Sequence, residues 1–176
     1  MKNVASVVLI AFLLIGCGGK KEETAPGMAQ SAKKDYISEG MRYLKEKDIT
    51  RAVRSFDLAI KQEPANPNNY LMLGQIYLRL KDAGRAADTF EAATKVSPNS
   101  GDAYFFLGIS RAIQQRQTEA IAAAQKSVDI FMQARDEERF KRSVALLKGL
   151  SSGASGASAD ISNVIQDATN NSPITQ

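Results

Sequence analysis

The 176 residues contain no histidine and a single cysteine, Cys17. Without an imidazole the chain has no ordinary general base near neutral pH, so composition excludes Ser-His-Asp and Cys-His arrangements and His-ligated metal sites. One cysteine also excludes an internal disulfide. The densest acidic cluster is Asp136-Glu137-Glu138, in which Glu137 and Glu138 stand four residues before Lys141 and Arg142. That is the spacing of solvated ion pairs along a helix, not of paired carboxylates in a cleft. No glycine-rich phosphate loop or metal-spaced cluster is present, so the sequence offers no catalytic residue, no metal ligand set and no cofactor site. The 23 Lys and Arg against 19 Asp and Glu leave a net charge of +4, too small a surplus to point to nucleic acid. The one residue left whose type could do covalent chemistry is Cys17, and what it does depends on the residues before it.

Lys2 gives the N-terminus a positive charge, and Val4 to Ile15 is apolar except for Ser6, the pattern of a secretory signal. The run is too short for a bilayer span, which needs about 20 apolar residues. Leu14-Ile15-Gly16-Cys17 resembles the bacterial lipobox. The resemblance implies removal of residues 1–16, acyl chains such as palmitate on Cys17, and a membrane anchor in which each buried methylene contributes about 0.8 kcal/mol. Gly18 stands where an Asp would favour retention at the inner membrane. By the same resemblance the expected location is the cell envelope, at the outer membrane facing the periplasm. The alternative is an ordinary signal peptide followed by a structural cysteine. Residues 17–32 follow the signal; from Gly18 to Ala32 the only large apolar side chain is Met28, which predicts a flexible tether with a reach of about 20 Å.

The elements that must position any function repeat along the chain. Tyr36, Gly40, Tyr43, Ala52, Phe56, Ala59 and Pro64 recur 34 residues later as Tyr70, Gly74, Tyr77, Ala86, Phe90, Ala93 and Pro98. A third copy keeps Tyr104, Gly108 and Ala120, and departs at Arg111, Ala124, Ser127 and Met132. This pattern resembles the tetratricopeptide repeat over residues 33–134, in units 33–66, 67–100 and 101–134. The fold class expected is all-α, a right-handed superhelix of helix-turn-helix repeats closed by a C-terminal capping helix. Helices are predicted near 34–46, 50–62, 67–80, 83–96, 101–114 and 117–132. Asp48 and Asp82 suit N-caps, Asn66-Pro67 a cap with a first-turn proline, and Pro64 and Pro98 helix ends. The small residues are expected where paired helices approach, Gly40 against Ala52 and Gly74 against Ala86.

Residues 135–150 predict a capping helix, with Phe140, Val144 and Leu147 at i, i+4 and i+7 as its inward stripe. Residues 151–176 open on Ser, Gly and Ala and predict a disordered tail. Within it Ile161, Val164, Ile165 and Ala168 form one apolar stripe, able to become a short helix on contact with a surface.

In the resembled family the first helix of each pair lines a concave groove that takes extended or helical peptides. The positions this implies are Lys34, Ile37, Met41 and Leu44, then Leu71, Met72, Gln75 and Leu78, then Phe105, Phe106, Ile109 and Ile113. The candidate binding set is Ile37, Met41, Leu71, Met72, Gln75, Phe105, Phe106 and Ile109, mostly apolar and with methionines that adapt to a ligand's shape. Its alternative role is ordinary core between helices. A subclass of the family clamps a partner's C-terminal carboxylate with Lys, Asn and Arg, but the matching positions here are Ile37, Met41, Met72, Asp102 and Phe106. The function expected is a non-enzymatic, membrane-anchored adaptor that binds an apolar peptide or helix in an envelope assembly, whether pilus or secretin, outer-membrane biogenesis or peptidoglycan machinery. The rival is a structural, self-associating lipoprotein, a homo-oligomer whose groove is filled by another copy or by its own 160–169 segment.

Overall fold

A computed structural model describes residues 34–152 together with Gln166. The signal, lipid-anchor and tether readings on residues 1–33, and the tail stripe apart from Gln166, lie outside the described residues. The chain divides into two units, 1–34 and 35–176, and the helical array belongs to the second.

Seven helices and no strand occur among the described residues: α1 (Tyr36–Lys45), α2 (Ile49–Gln62), α3 (Pro67–Arg79), α4 (Ala83–Val96), α5 (Gly101–Ile113), α6 (Gln117–Ala134) and α7 (Glu137–Ser151). Their starts follow the caps written in the sequence. The carboxylates of Asp48 and Asp82 accept the backbone N–H of Arg51 and Arg85, each at 2.9 Å. The Asn66 amide oxygen accepts that of Asn68, with Pro67 at the first helical position. These bonds satisfy N–H groups that a helix start leaves without partners.

Within each of the three pairs a short turn reverses the chain through Lys47, Lys81 or Gln115, with φ of 59°, 59° and 60°. None is glycine, so each accepts left-handed strain. The turn recovers it by closing the preceding helix: Asp48, Asp82 and Arg116 donate their backbone N–H to the carbonyls of Tyr43, Tyr77 and Arg111, each at 2.9 Å. This is the six-residue closure of a helix C-terminus, repeated at the 34-residue period.

The two helices of a pair approach over glycine. A Cβ on Gly74 would lie 2.6 Å from the Phe90 ring, and one on Gly40 2.8 Å from Phe56. The fully buried phenylalanine therefore fills the space that glycine leaves, beside buried Ala52 and Ala86. In the third pair Ala124 replaces the phenylalanine, and the backbone itself closes in: a Cβ on Gly108 would meet the Ala120 carbonyl at 3.2 Å and the Ala124 nitrogen at 3.3 Å.

Two expectations are corrected near the end of the array. α6 runs on to Ala134, because Met132 stands where the earlier units carry proline and nothing ends the helix until Arg135 turns left-handed at φ 55°. The inward face of α7 is Ser143, Leu146, Gly149 and Leu150; of the three residues expected there, Leu147 packs half-buried against the core, while Phe140 and Val144 do not belong to it. The small Ser143 lets α7 approach α6, where its hydroxyl meets that of Ser127 at 2.8 Å. Leu146 then fits over Gly108, at 3.5 Å from the position of its missing Cβ. Ser127 replaces the alanine of the earlier units, and it also contacts the Gly101 carbonyl at 2.9 Å.

Candidate binding surface

On α1 the apolar residues Ile37, Met41 and Leu44 recur at i, i+4 and i+7, so they share one face. On α3 Leu71 and Met72 lie one turn before Gln75. Ile37, Met41, Leu71 and Met72 are each half-buried and pack against the core while keeping part of their surface in water. The other four of the eight candidates sit deeper. Gln75 is buried on α3, and Phe105, Phe106 and Ile109 are 3, 6 and 0% exposed. Phe106 stacks on Phe90 at 5.3 Å between ring centroids, with Phe105 edge-on at 5.4 Å. The Arg142 guanidinium of α7 covers Phe105 at 5.1 Å. The structure thus brings four of the candidates to an accessible surface on α1 and α3, and on α5 it uses the aromatic pair to join α4, α5 and α7.

The clamp positions are occupied accordingly. Asp102 is bridged to Arg139 of α7 at 2.9 Å, and Phe106 is core. No cation stands at Ile37, Met41 or Met72, so a terminal carboxylate would gain no charge-assisted hydrogen bond from these side chains.

A feature that sequence alone did not bring out lies between α4, α5 and α6. Arg111, 8% exposed, reaches Glu91 of α4 at 2.9 Å and Glu119 of α6 at 3.4 Å. Glu91 also pairs with Lys95 at 2.9 Å, and Glu119 with Arg116 at 2.6 Å. Five charges therefore alternate in sign across three helices. Lys95 and then Arg111 hold the Glu91 carboxyl below its ordinary range. Glu91, Arg111 and Glu119 line an open cleft of about 410 Å³ with Tyr104, Leu107, Ala122 and Ala123. Its signal in the sequence was a paired departure: where the second unit has Tyr77 and Arg85, the third has Arg111 and Glu119. Among the described residues no group of three His, Cys, Asp or Glu side chains could hold a metal ion. No helix among them is long and apolar enough to cross a membrane.

Paired helices stacked at a fixed period, with a partly exposed apolar face on the first members, define a repeat-built helical array. The profile of the tetratricopeptide repeat matches residues 37–93 and 71–135, and the chain belongs to that family. Among solved structures it is similar to the TPR2B domain of yeast Sti1 in its pHsp70 complex, with a TM-score of 0.62 and 17% identity, over 68% of this chain and 95% of that one. The first repeat domain of Spaghetti (RPAP3), bound to the HSP90 peptide SRMEEVD, superposes with a TM-score of 0.51 and 18% identity, over 74% of this chain and 88% of that one. A double mutant of MamA gives 0.55 and 21%, over 78% and 76%. At these identities the likeness is one of fold. No curated protein matches the sequence.

Proposed function

We propose that this protein is a membrane-anchored adaptor that holds an apolar peptide or the apolar face of a partner helix against α1 and α3. The observation that carries the reading is the set of four half-buried apolar side chains, Ile37, Met41, Leu71 and Met72, on the first helices of neighbouring pairs. A fixed scaffold with a partly hydrated apolar face gains free energy by covering it, and the two methionines adapt to an irregular ligand. Similar arrays hold partners, as the Sti1 domain does in its pHsp70 complex and the RPAP3 domain with the HSP90 peptide SRMEEVD. The absence of cations at Ile37, Met41 and Met72 favours an apolar ligand over a terminal carboxylate in this chain. Among the described residues no arrangement of catalytic groups competes with this reading.

The anchor part of the proposal rests on Leu14-Ile15-Gly16-Cys17 at the end of an apolar run. Lipid on Cys17 would hold the array at the outer membrane, facing the periplasm, and raise its local concentration for a partner in an envelope assembly. Two comparisons test the proposal. Cys17→Ser should abolish metabolic labelling with palmitate and release the protein from membranes. Met41→Glu/Met72→Glu, checked for native helicity, should lose partners recovered by crosslinked pull-down from native membranes. Equal recovery with the native chain would move the binding site elsewhere.

A further inference from the structure

Counted from its N-cap Asp136, α7 carries Phe140, Val144 and Leu147 at offsets 4, 8 and 11. These are the offsets of Tyr70, Gly74 and Tyr77 from Asn66 on α3, and of Tyr104, Gly108 and Arg111 from Ser100 on α5. On α3 and α5 that face meets the second helix of the pair: Gly74 against Phe90, Tyr77 beneath Arg85, Gly108 against Ala120 and Ala124, Arg111 with Glu119. α7 thus has the register of a first helix, and among the described residues nothing plays the second. Its pairing face is only partly covered: Leu147 packs half-buried against the core, but Val144 is 37% exposed, and half-buried Phe140 borders an apolar notch of about 140 Å³ with exposed Met132.

The segment beginning at Asp160 has the apolar spacing that vacancy requires over its first eight positions. From the N-cap Asp82, the buried side chains of α4 lie at offsets 1, 4, 5, 8, 11 and 12, as Ala83, Ala86, Ala87, Phe90, Ala93 and Thr94. From Asp160 the first four of these offsets give Ile161, Val164, Ile165 and Ala168, and the last two fall on Asn171 and Ser172, past the apolar stripe. Sizes are exchanged in a compensating way, since the glycine and phenylalanine that meet in the second pair, Gly74 and Phe90, become valine and alanine, Val144 and Ala168. Offset 6 faces water on all three earlier second helices, at Arg54, Asp88 and Ala122, and the corresponding Gln166 is helical and exposed.

Charge agrees with shape. Residues 153–176 contain Asp160 and Asp167 and no Lys or Arg. Exposed Lys141 and Lys148 flank the stripe on α7 with the same seven-residue spacing. In an antiparallel arrangement Asp160 would stand near Lys148 and Asp167 near Lys141. The connecting residues 153–159 are Gly, Ala and Ser; seven such residues reach about 15 Å, more than the roughly 8–10 Å between packed helix axes.

We propose that residues 160–169 form the second helix of a fourth pair, docked antiparallel on Phe140, Val144 and Leu147 of α7. This replaces the disordered tail that composition alone suggests, and it leaves the apolar surface of α1 and α3 available to a partner.

Hydrogen exchange on the full-length protein in detergent, read by mass spectrometry, tests it. The amides of 161–169 should exchange at least about tenfold more slowly than an unstructured peptide. Val144→Glu and, separately, Ile165→Glu should each abolish that protection while peptides from α1–α6 keep theirs. Ile165→Glu lies outside the array, so it guards against a general loss of folding. Unprotected tail amides in the native chain, or protection surviving both substitutions, would overturn the proposal. Protection lost with Met72→Glu but kept with Val144→Glu would overturn it in favour of docking on α1 and α3. Protection that rises with protein concentration would overturn it in favour of a second copy.

Discussion

Arg111 Nε lies 3.4 Å from Glu119 Oε2, in the two repeat columns where Arg51 covers the Tyr43 ring at 4.6 Å and Arg85 covers Tyr77 at 4.5 Å. The charge has changed helix. In the first two pairs the second helix supplies an arginine, held by the N-cap aspartate before it at 2.6 Å. In the third pair that couple is inverted to Arg116 and Glu119, and the first helix supplies the buried cation in place of tyrosine. The inversion costs α6 its side-chain cap, since Arg116 has no oxygen to accept a backbone N–H.

Arg111→Met should destabilise the domain by about 2 kcal/mol, because Glu91 and Glu119 lose a shared partner. This is less than the roughly 3–5 kcal/mol of a fully buried pair, since both carboxylates reach water. Arg111→Tyr, Arg116→Asp and Glu119→Arg should each destabilise alone, whereas the triple variant rebuilds the second-pair arrangement. Urea denaturation should show the triple close to the native chain, a non-additivity expected of residues in one network. Simple addition of the three losses would refute the column exchange.

Gly74→Ala should cost about 2 kcal/mol despite the better helix propensity of alanine. The new Cβ would fall 2.6 Å from the ring of Phe90, which is fully buried and stacked on Phe106 at 5.3 Å and so has little room to retreat. Adding Phe90→Leu should return part of the loss in thermal unfolding.

Acid should weaken the helix starts. Asp48, Asp82 and Asp136 have carboxyl pKa values lowered from 3.8, chiefly by the backbone N–H groups of Arg51, Arg85 and Arg139. A lowered folded pKa contributes stability that is full above the unfolded value and disappears as pH falls through the folded one. Asp82→Ala should therefore lower Tm by a few degrees at pH 7, and the gap should close below pH 3.8.

Asp57 should behave in the opposite sense. Burial raises its carboxyl pKa from 3.8, against the attraction of Lys61 and Arg85. Its ionised form thus costs stability, a cost that grows as pH rises from 3.8 through the folded value and is absent in acid. Asp57→Asn should stabilise the domain slightly at pH 7, by about 0.5 kcal/mol or less, and change nothing below pH 3.8, as thermal unfolding at the two pH values would show.

The repeat made the fold legible because each recurring residue has one mechanical task. Gly40 and Gly74 admit phenylalanine, Asp48 and Asp82 cap, and Pro67 starts a helix, so helix ends fell within two residues of expectation, the overrun of α6 following from Met132 in the place of the stop. The candidate surface was legible only in part. Position along a first helix says that Phe105, Phe106 and Ile109 face the same side as Met72, but whether that side is covered depends on α4 and α7, which are remote in sequence. The face of α7 escaped for a similar reason. Phe140, Val144 and Leu147 have the period of an inward stripe, yet Ser143 and Leu146 fit α6 and Gly108 better, a matter of shape that periodicity does not carry. The ion network was hidden because it pairs two departures, Arg111 and Glu119, each of which alone looks like decay of the third repeat.

The central claim is that α1 and α3 present the binding surface, and site-specific photocrosslinking in living cells tests it most directly. A photoreactive amino acid at position 41 or 72 should give discrete protein adducts of the same mass, whereas the same probe at exposed Thr50 or Lys126 should not. Adducts confined to positions 50 and 126, with none at 41 or 72, would contradict the claim.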